Sequence, residues 1–227
     1  MSRRRELIGH LSSFVTKRRL GIFDSVLNNR TRYITVVLED LYQSHNASAV
    51  LRTCDCFGIQ DVHIIENRNQ FRLNPDVALG SAQWLSLYRY SRTNDNTLEA
   101  LDAIRASGYR LVAATPHKRG VPLHTFDLAA GKTAILFGTE LTGLSQQAIR
   151  HADEFIFIPM NGFTQSLNIS VSAAVILYHL THVLRNSSIS WRLSGREMED
   201  LRLEWLKRSI KKSDAIIREY NKRKKDL

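Results

Sequence analysis

The chain has 227 residues, of which 43% are hydrophobic, enough to bury one sizeable core. No apolar run reaches the roughly 18 residues of a membrane span. The positively charged start at residues 1–15 lacks the apolar stretch and cleavage site of a signal peptide, so we expect a cytoplasmic protein. The only two cysteines, Cys54 and Cys56, exclude a disulfide framework, and we expect both to be reduced core thiols.

The net charge of +10 lies entirely in the two ends of the chain. Residues 31–189 hold 13 basic and 13 acidic side chains, residues 1–30 hold 7 and 2, and residues 190–227 hold 12 and 7. A neutral body with basic ends suits a polyanion, although solvated basic helices would have the same composition. We predict a central domain at 31–189 with basic helical extensions at 1–30 and 190–227.

The hydrophobic pattern predicts strands and helices in alternation after helical segments near 3–29. In chain order we expect a strand at 33–39, a helix at 46–58, a strand at 61–66, an Asn/Arg-rich loop at 67–75, a turn or helix at 77–82, a possible strand at 84–90, a helix at 97–107, strands at 109–115 and 133–138, a helix at 145–152, a strand at 154–159, and helices at 166–185 and 194–224. Several of these strands are continuous apolar runs. This pattern predicts an α/β fold with a mostly parallel sheet and helices on both faces.

Ligands of parallel sheets bind where strands end at their carboxyl termini, and polar loops follow three of the predicted strands there. These loops are 42–52 (YQSHNASAVLR), 137–145 (FGTELTGLS) and 158–170 (IPMNGFTQSLNIS). The second is close to a phosphate-binding loop, but Leu144 stands where the lysine belongs and Glu140 adds a negative charge. The sequence therefore argues against a nucleoside triphosphate site, and it lacks a dinucleotide fingerprint.

Taken together, the three loops resemble the motifs of the SpoU/TrmH family of RNA ribose 2′-O-methyltransferases, within the SPOUT superfamily. The matching segments are 45–53 (HNASAVLRT), 136–143 (LFGTELTG) and 158–172, and the resemblance extends over about 33–186. It implies S-adenosylmethionine as cofactor, a deep trefoil knot towards the C-terminus and a homodimer. The histidines and cysteines of the chain lack the partners of a metal site, so we expect no metal. Family members of this size imply tRNA as substrate, methylated on the D-loop guanosine at position 18.

The resemblance also implies the site residues. The catalytic group would be Arg52, Asn46, Glu140, Ser166 and Asn168, and the cofactor would be held by Thr115, Gly138, Ile158 and Leu167. The reaction is attack by a ribose 2′-hydroxyl on a sulfonium methyl group. Because a guanidinium stays protonated, our hypothesis is that Arg52 clamps an RNA phosphate, orients the hydroxyl and stabilises the developing alkoxide.

Other interpretations of these residues stay open from the sequence. Asn46 and Asn168 stand where helices would begin, so either could be a simple N-cap. Glu140 could be a surface carboxylate at a helix start. His45 could be a general base, but a loop histidine is more often solvated. His179 and His182 lack a further ligand and suit a helix surface or a dimer contact, for which Val171–Leu184 is our candidate.

Two alternatives to the tRNA function remain at this point. The same chemistry could act on rRNA or on another tRNA nucleoside. The second alternative is a non-catalytic RNA-binding protein with a vestigial methylation site. The intact motif residues argue against this alternative.

Overall fold

The computed structural model describes residues 3–93, 95–116 and 120–224. These residues form two compact units, one made of residues 31–191 and one built from both chain ends, residues 3–30 and 192–224. In chain order, the helices and strands are α1 (Arg3–Ser12), α2 (Lys17–Leu27), β1 (Ile34–Glu39), α3 (Ser44–Phe57), β2 (Asp61–Ile65), α4 (Pro75–Ala78), β3 (Ser86–Tyr90), α5 (Thr97–Ala106), β4 (Arg110–Ala114), β5 (Val121–Pro122), β6 (Thr133–Phe137), α6 (Gln146–His151), β7 (Glu154–Phe157), α7 (Ile169–Arg185), α8 (Gly195–Ser209) and α9 (Ser213–Arg223).

The larger unit is organised around a seven-stranded sheet with the order β3-β2-β1-β6-β4-β7-β5. Each pairing between neighbouring described strands is parallel. In the centre of the sheet, Val36 of β1 lies beside Val62 of β2 and Ile135 of β6. The predicted α/β fold with a parallel sheet is confirmed.

Alternate residues of each strand point to opposite sides of the sheet. Since the residues on both sides are apolar, helices cover both faces. On β1, Val36 packs in a core that α3 and α7 complete, whereas Val37 packs in a second core with α5 and α6. Burial on both sides explains why the central strands are continuous apolar runs. No helix in the described ranges is long and apolar enough to cross a bilayer.

Two helix boundaries in the larger unit differ from the sequence prediction. Helix α3 begins at Ser44, earlier than predicted, so Asn46 lies within its first turn. Helix α7 begins at Ile169, later than predicted, because the side chain of Asn168 accepts a hydrogen bond from the Ser170 backbone N–H (2.9 Å) and caps the helix. The expectation of two core thiols is half wrong, since α3 buries Cys54 and exposes Cys56.

The smaller unit packs helices from the two chain ends together. Ion pairs join α1 to α8, with Arg4 2.7 Å from Asp200 and Arg5 2.6 Å from Glu199. Trp205 of α8 is 1% exposed and contributes the largest fully buried side chain of this unit.

The single helix predicted over 194–224 is wrong, because the structure has two helices, α8 and α9. Ile210 takes an extended backbone and Lys212 a left-handed one (φ 62°), which ends the hydrogen-bond ladder of α8 before α9 starts.

Candidate active site

Three of the predicted cofactor residues follow neighbouring strands at one edge of the sheet. Gly138 comes directly after β6, Thr115 directly after β4 and Ile158 directly after β7, and these strands are adjacent in the order β6-β4-β7. The Thr115 backbone N–H donates to the Ile156 carbonyl at 3.0 Å, which fixes this residue against β7. Leu167 lies in the loop from β7 to α7, so all four predicted cofactor residues belong to strand-end segments.

The loop after β6 is a tight turn with a glycine at its base. Thr139 and Gly143 exchange two backbone hydrogen bonds of 3.0 and 3.1 Å, and Gly143 has a left-handed backbone (φ 69°). A Cβ on Gly138 would lie 2.2 Å from the carbonyl carbon of Gly143, so no larger residue fits there without a shift of the backbone. Within the turn, Glu140 and Leu141 are exposed.

One residue from each of the three motifs meets the others in a hydrogen-bonded triangle. The side-chain amide of Asn46 donates to Oε1 of Glu140 at 3.0 Å. The amide of Asn168 donates to the same carboxylate oxygen and, at 3.3 Å, to Oδ1 of Asn46. Asn46 is only 5% exposed, so its amide is held in a largely dry place at the edge of the site. We call these three residues the Asn–Glu–Asn triangle.

The triangle decides between the alternative interpretations of its members. Asn46 is not the cap of α3, because that position belongs to Gln43. Asn168 caps α7 through Oδ1, as the sequence allowed, and its Nδ2 belongs to the triangle, so the cap does not prevent a further role. Glu140 lies in the turn after β6, several residues before α6 begins at Gln146, so the interpretation as a helix-start carboxylate is wrong.

Among the described residues, the remaining two predicted catalytic residues make no hydrogen bond or ion pair to the triangle. Arg52 lies six residues after Asn46 on α3, a rotation of roughly 240° about the helix axis, and it is exposed. Ser166 is exposed in the loop before α7. In the described ranges, neither side chain has a hydrogen bond or ion pair to another residue, so both are available to a substrate.

The loop between β7 and α7 presents unpaired backbone groups. Among described residues, the N–H and C=O groups of 158–167 form no hydrogen bond, although Ile158 and Leu167 are partly buried. Residues 159 and 161–166 of this loop are exposed, so their backbone groups are open to solvent or to a ligand. The resemblance predicts that this segment holds the cofactor.

A polar cleft of about 480 Å³ lies beside the turn after β6. None of the nine predicted site residues lines it; its walls include Glu39, Asn67, Asp95, Thr139 and Ser145. The Glu39 carboxylate accepts from the Ser145 hydroxyl at 2.7 Å and its backbone N–H at 2.8 Å, which anchors the end of the turn to β1.

A further residue of the site was not predicted from the sequence. Gln43 accepts a 2.7 Å hydrogen bond from the Asn46 amide. Its position at the start of α3, three residues before a motif asparagine, is the only signal that could have indicated this contact. In the ranges that the structure describes, no group of three or more His, Cys, Asp and Glu residues is arranged to hold a metal ion.

At the carboxyl ends of the parallel strands, amide and carboxylate side chains meet beside a loop whose backbone is unpaired. This arrangement is typical of the ligand-binding sites of α/β enzymes. Comparison with known proteins makes the assignment specific. The chain belongs to the SpoU rRNA Methylase family, which matches residues 33–178, and the resemblance noted from the three motifs is confirmed.

Curated relatives resemble this chain over most of its length. A protein of Borreliella burgdorferi named tRNA (guanosine(18)-2′-O)-methyltransferase is 45% identical over 209 residues, which are 92% of this chain and 94% of that protein. A Thermus thermophilus protein of the same name is 35% identical over 163 residues, covering 72% of this chain and 81% of the relative.

Solved structures agree with the fold. The crystal structure of the Aquifex aeolicus TrmH/SpoU tRNA modifying enzyme superimposes with a TM-score of 0.76 at 29% identity, covering 86% of this chain and 98% of that one. The SpoU methyltransferase AviRb from Streptomyces viridochromogenes, solved in complex with AdoMet, has a TM-score of 0.58 at 23% identity and covers 72% of this chain and 62% of that one. At that identity the second match supports the fold alone.

Proposed function

We propose that this chain is an S-adenosylmethionine-dependent tRNA ribose 2′-O-methyltransferase that modifies guanosine 18 in the D-loop. The observation that carries the proposal is the Asn–Glu–Asn triangle, because it joins one residue from each of the three family motifs. The tRNA target follows from the relatives named for this reaction, of which the Borreliella burgdorferi protein is 45% identical.

The cofactor site in this proposal is formed by strand ends and by the loop before α7. Gly138, Thr115 and Ile158 follow three adjacent strands, and the unpaired backbone of 158–167 supplies donors and acceptors close to Leu167. S-adenosylmethionine, when bound there, supplies a methyl group on a cationic sulfur. The chain's own part is to exclude water and to align the reacting atoms.

Arg52 is proposed to bind an RNA phosphate. Its side chain is exposed and without a partner in the described ranges. A guanidinium is a planar cation whose paired donors match the oxygens of a phosphate. A bidentate contact to phosphate orients the 2′-hydroxyl and stabilises the negative charge that develops on its oxygen, while the hydroxyl proton passes to a phosphate oxygen. Ser166, also exposed and unpaired, offers a hydroxyl to the same substrate.

The test of the function is methyl transfer from radiolabelled S-adenosylmethionine to an unmodified tRNA transcript, with the product mapped by nuclease digestion and mass spectrometry. We expect 2′-O-methylguanosine at position 18. Label at another nucleoside, or on rRNA alone, would support the methyl-transfer reaction but assign a different substrate. If the protein binds RNA and yet neither tRNA nor rRNA is labelled, the non-catalytic RNA-binding alternative is favoured. Arg52→Lys should lose most turnover and keep cofactor affinity; full activity in that variant would refute the role of Arg52.

We also propose a homodimer that forms through α7. The inner face of this helix packs on α3, yet Val171, Val175 and Tyr178, spaced by four and three residues, are exposed along its outer face. A helix that is apolar on both faces is normally buried on both. Val175→Glu should give a monomer by light scattering, whereas Ile149→Glu, the same change at an exposed position on α6, should leave a dimer.

The smaller unit is proposed to bind the tRNA backbone. Lys17, Arg18 and Arg19 form a basic triplet in the first turn of α2, all three exposed and without ion pairs among described residues. Cations at a helix N-terminus oppose the helix dipole, so the triplet costs stability and is suited to a phosphate partner. The family's deep trefoil knot in the C-terminal part of 31–189 and a cytoplasmic location complete the proposal.

A further inference from the structure

The side-chain amide of Asn46 has a third partner besides Glu140 and Asn168. Its Nδ2 donates to Oε1 of Gln43 at 2.7 Å and to Oε1 of Glu140 at 3.0 Å, while its Oδ1 accepts from Asn168 at 3.3 Å. Both amide hydrogens and one acceptor position are therefore used. The bond to Gln43 is the shortest of the three that Asn46 makes.

These contacts permit one orientation of the Asn46 amide. If the amide turned over, Oδ1 would face the Glu140 carboxylate, which has no hydrogen to donate, and Nδ2 would face the amide nitrogen of Asn168. In the orientation observed, Oε1 of Gln43 accepts the second amide hydrogen. Without Gln43, one amide hydrogen would lose its protein partner, and the side chain would be held from the Glu140 side alone. Gln43 therefore supplies the acceptor for the second amide hydrogen of Asn46, the residue that links the motif after β1 to the other two motifs.

The position of Gln43 supports a role in the site and not in the helix. It is the N-cap residue of α3, where serine, threonine, asparagine and aspartate are preferred, and its side chain makes no cap hydrogen bond. Its backbone carbonyl still accepts from the Ala47 N–H at 3.2 Å, as any residue's would. The side chain is directed instead to Asn46, so α3 begins without the capping bond that a shorter polar residue would give.

We propose that Gln43 is a positioning residue for methyl transfer, which holds the Asn46 amide in the orientation that the Asn–Glu–Asn triangle requires; the inference rests on the proposed function. Gln43 is exposed, and its own Nε2 has no partner among described residues. The role of Gln43 is exerted through Asn46.

Gln43→Ser separates this role from a structural one. Serine is a good N-cap, because its hydroxyl can accept from a backbone N–H of the first turn, but it is too short to reach the side-chain amide of Asn46. The melting temperature should therefore stay the same or rise, while the single-turnover rate falls roughly tenfold, as for one lost hydrogen bond. The KM values for tRNA and for the cofactor should stay within about twofold of the wild type, because the residue acts on another side chain. Gln70→Ser, at an exposed glutamine with no bonded partner in the described ranges, is the matched control and should keep the wild-type rate.

A double-mutant cycle tests whether Gln43 acts through Asn46. In an Asn46→Ala background, Gln43→Ser should change the single-turnover rate by less than about twofold, because the side chain that it orients is gone. An equal loss in both backgrounds would overturn the proposal, as would a wild-type rate in Gln43→Ser.

NMR of the Asn46 side-chain amide tests the contact with Gln43 without any methyl transfer, so its result does not depend on the proposed function. With ¹⁵N-asparagine labelling, the Asn46 side-chain NH₂ signals are assigned by their loss in Asn46→Ala. In Gln43→Ser these signals should move and their hydrogens should exchange faster, and Gln70→Ser should leave them unchanged. If the wild type transfers no methyl group, the proposed function fails while this spectrum still decides whether Gln43 holds Asn46; unchanged signals in Gln43→Ser would refute the contact.

Discussion

Replacing Glu140 with glutamine should slow methyl transfer far less than replacing it with alanine. Glutamine keeps a carbonyl oxygen that can accept from Asn46 and Asn168, but it loses the charge that strengthens both bonds. A hydrogen bond to a charged group contributes about 1 kcal/mol more than a neutral one, so two weakened bonds cost about 2 kcal/mol, or roughly 30-fold in rate. Alanine removes both acceptors, which should cost about 4 kcal/mol, or roughly a thousandfold.

The fold should survive both changes. The turn after β6 is closed by backbone hydrogen bonds between Thr139 and Gly143 and by a 2.7 Å contact between the Thr139 and Thr142 hydroxyls, none of which involves Glu140. Asn168 keeps its capping bond to the Ser170 N–H. We therefore expect melting temperatures within a few degrees of the wild type.

The assay is single-turnover methyl transfer at saturating tRNA and cofactor, with cofactor affinity measured separately by calorimetry. Leu141→Ala is the control, since Leu141 follows Glu140 and is 98% exposed. Equal losses in Glu140→Gln and Glu140→Ala would show that the carboxylate acts as a proton acceptor and not as an organiser of the two amides. A wild-type rate in Glu140→Ala would remove the triangle from the mechanism.

Three further predictions concern the cofactor loop, the basic triplet and a buried histidine. Gly138→Ala places a Cβ 2.2 Å from the Gly143 carbonyl carbon, so calorimetry should show cofactor binding weakened more than about tenfold and scanning calorimetry a lower melting temperature. Alanine at all three positions of 17–19 should reduce the slope of log affinity for tRNA against log salt by up to about 3, and leave the single-turnover rate at saturating tRNA unchanged; an unaltered slope would exclude these residues from the RNA contact. Burial lowers the pKa of His63 from 6.5 to about 4, so the unfolded chain binds a proton that the folded chain does not, and stability is lost as the pH falls through that window. Urea unfolding should show that the free energy of unfolding falls by about 2 kcal/mol between pH 7.5 and pH 5 because of His63, and that this fall is absent in His63→Gln. An equal dependence on pH in the two proteins would contradict the assignment to His63.

The sheet could be predicted from the sequence because its signal is local. Runs such as 34–38 and 133–137 are apolar without alternation, and each is followed by a polar loop, which is typical of a strand buried on both faces. The site residues came from the resemblance, and their roles remain predictions. Their positions at the ends of β4, β6 and β7 follow from the general rule for parallel sheets.

The contacts within the site could not be predicted in the same way, because they depend on where side chains end in space. Asn46 and Asn168 had the same capping ambiguity in the sequence, and only the backbone shows that the second is a cap and the first is not. Gln43 carries no motif signal, since a glutamine near a helix start is common on protein surfaces. The break at Ile210–Lys212 was missed because apolar spacing continues across it, and the left-handed Lys212 is invisible to periodicity.

The packing of α3 on α7 explains how residues 122 positions apart come within hydrogen-bond distance. Strands β1 and β6 are neighbours, so the first turn of α3, which carries Asn46, and the turn after β6, which carries Glu140, meet directly at the edge of the sheet. Strand β7 lies two positions beyond β6, and its following loop returns Asn168 to the triangle only because α7 packs against α3 in the same core. The cap at Asn168 then sets both the start of α7 and the direction of the Nδ2 that reaches Glu140. The geometry of the triangle is thus fixed by the packing of α3 and α7 in the core as well as by its own hydrogen bonds.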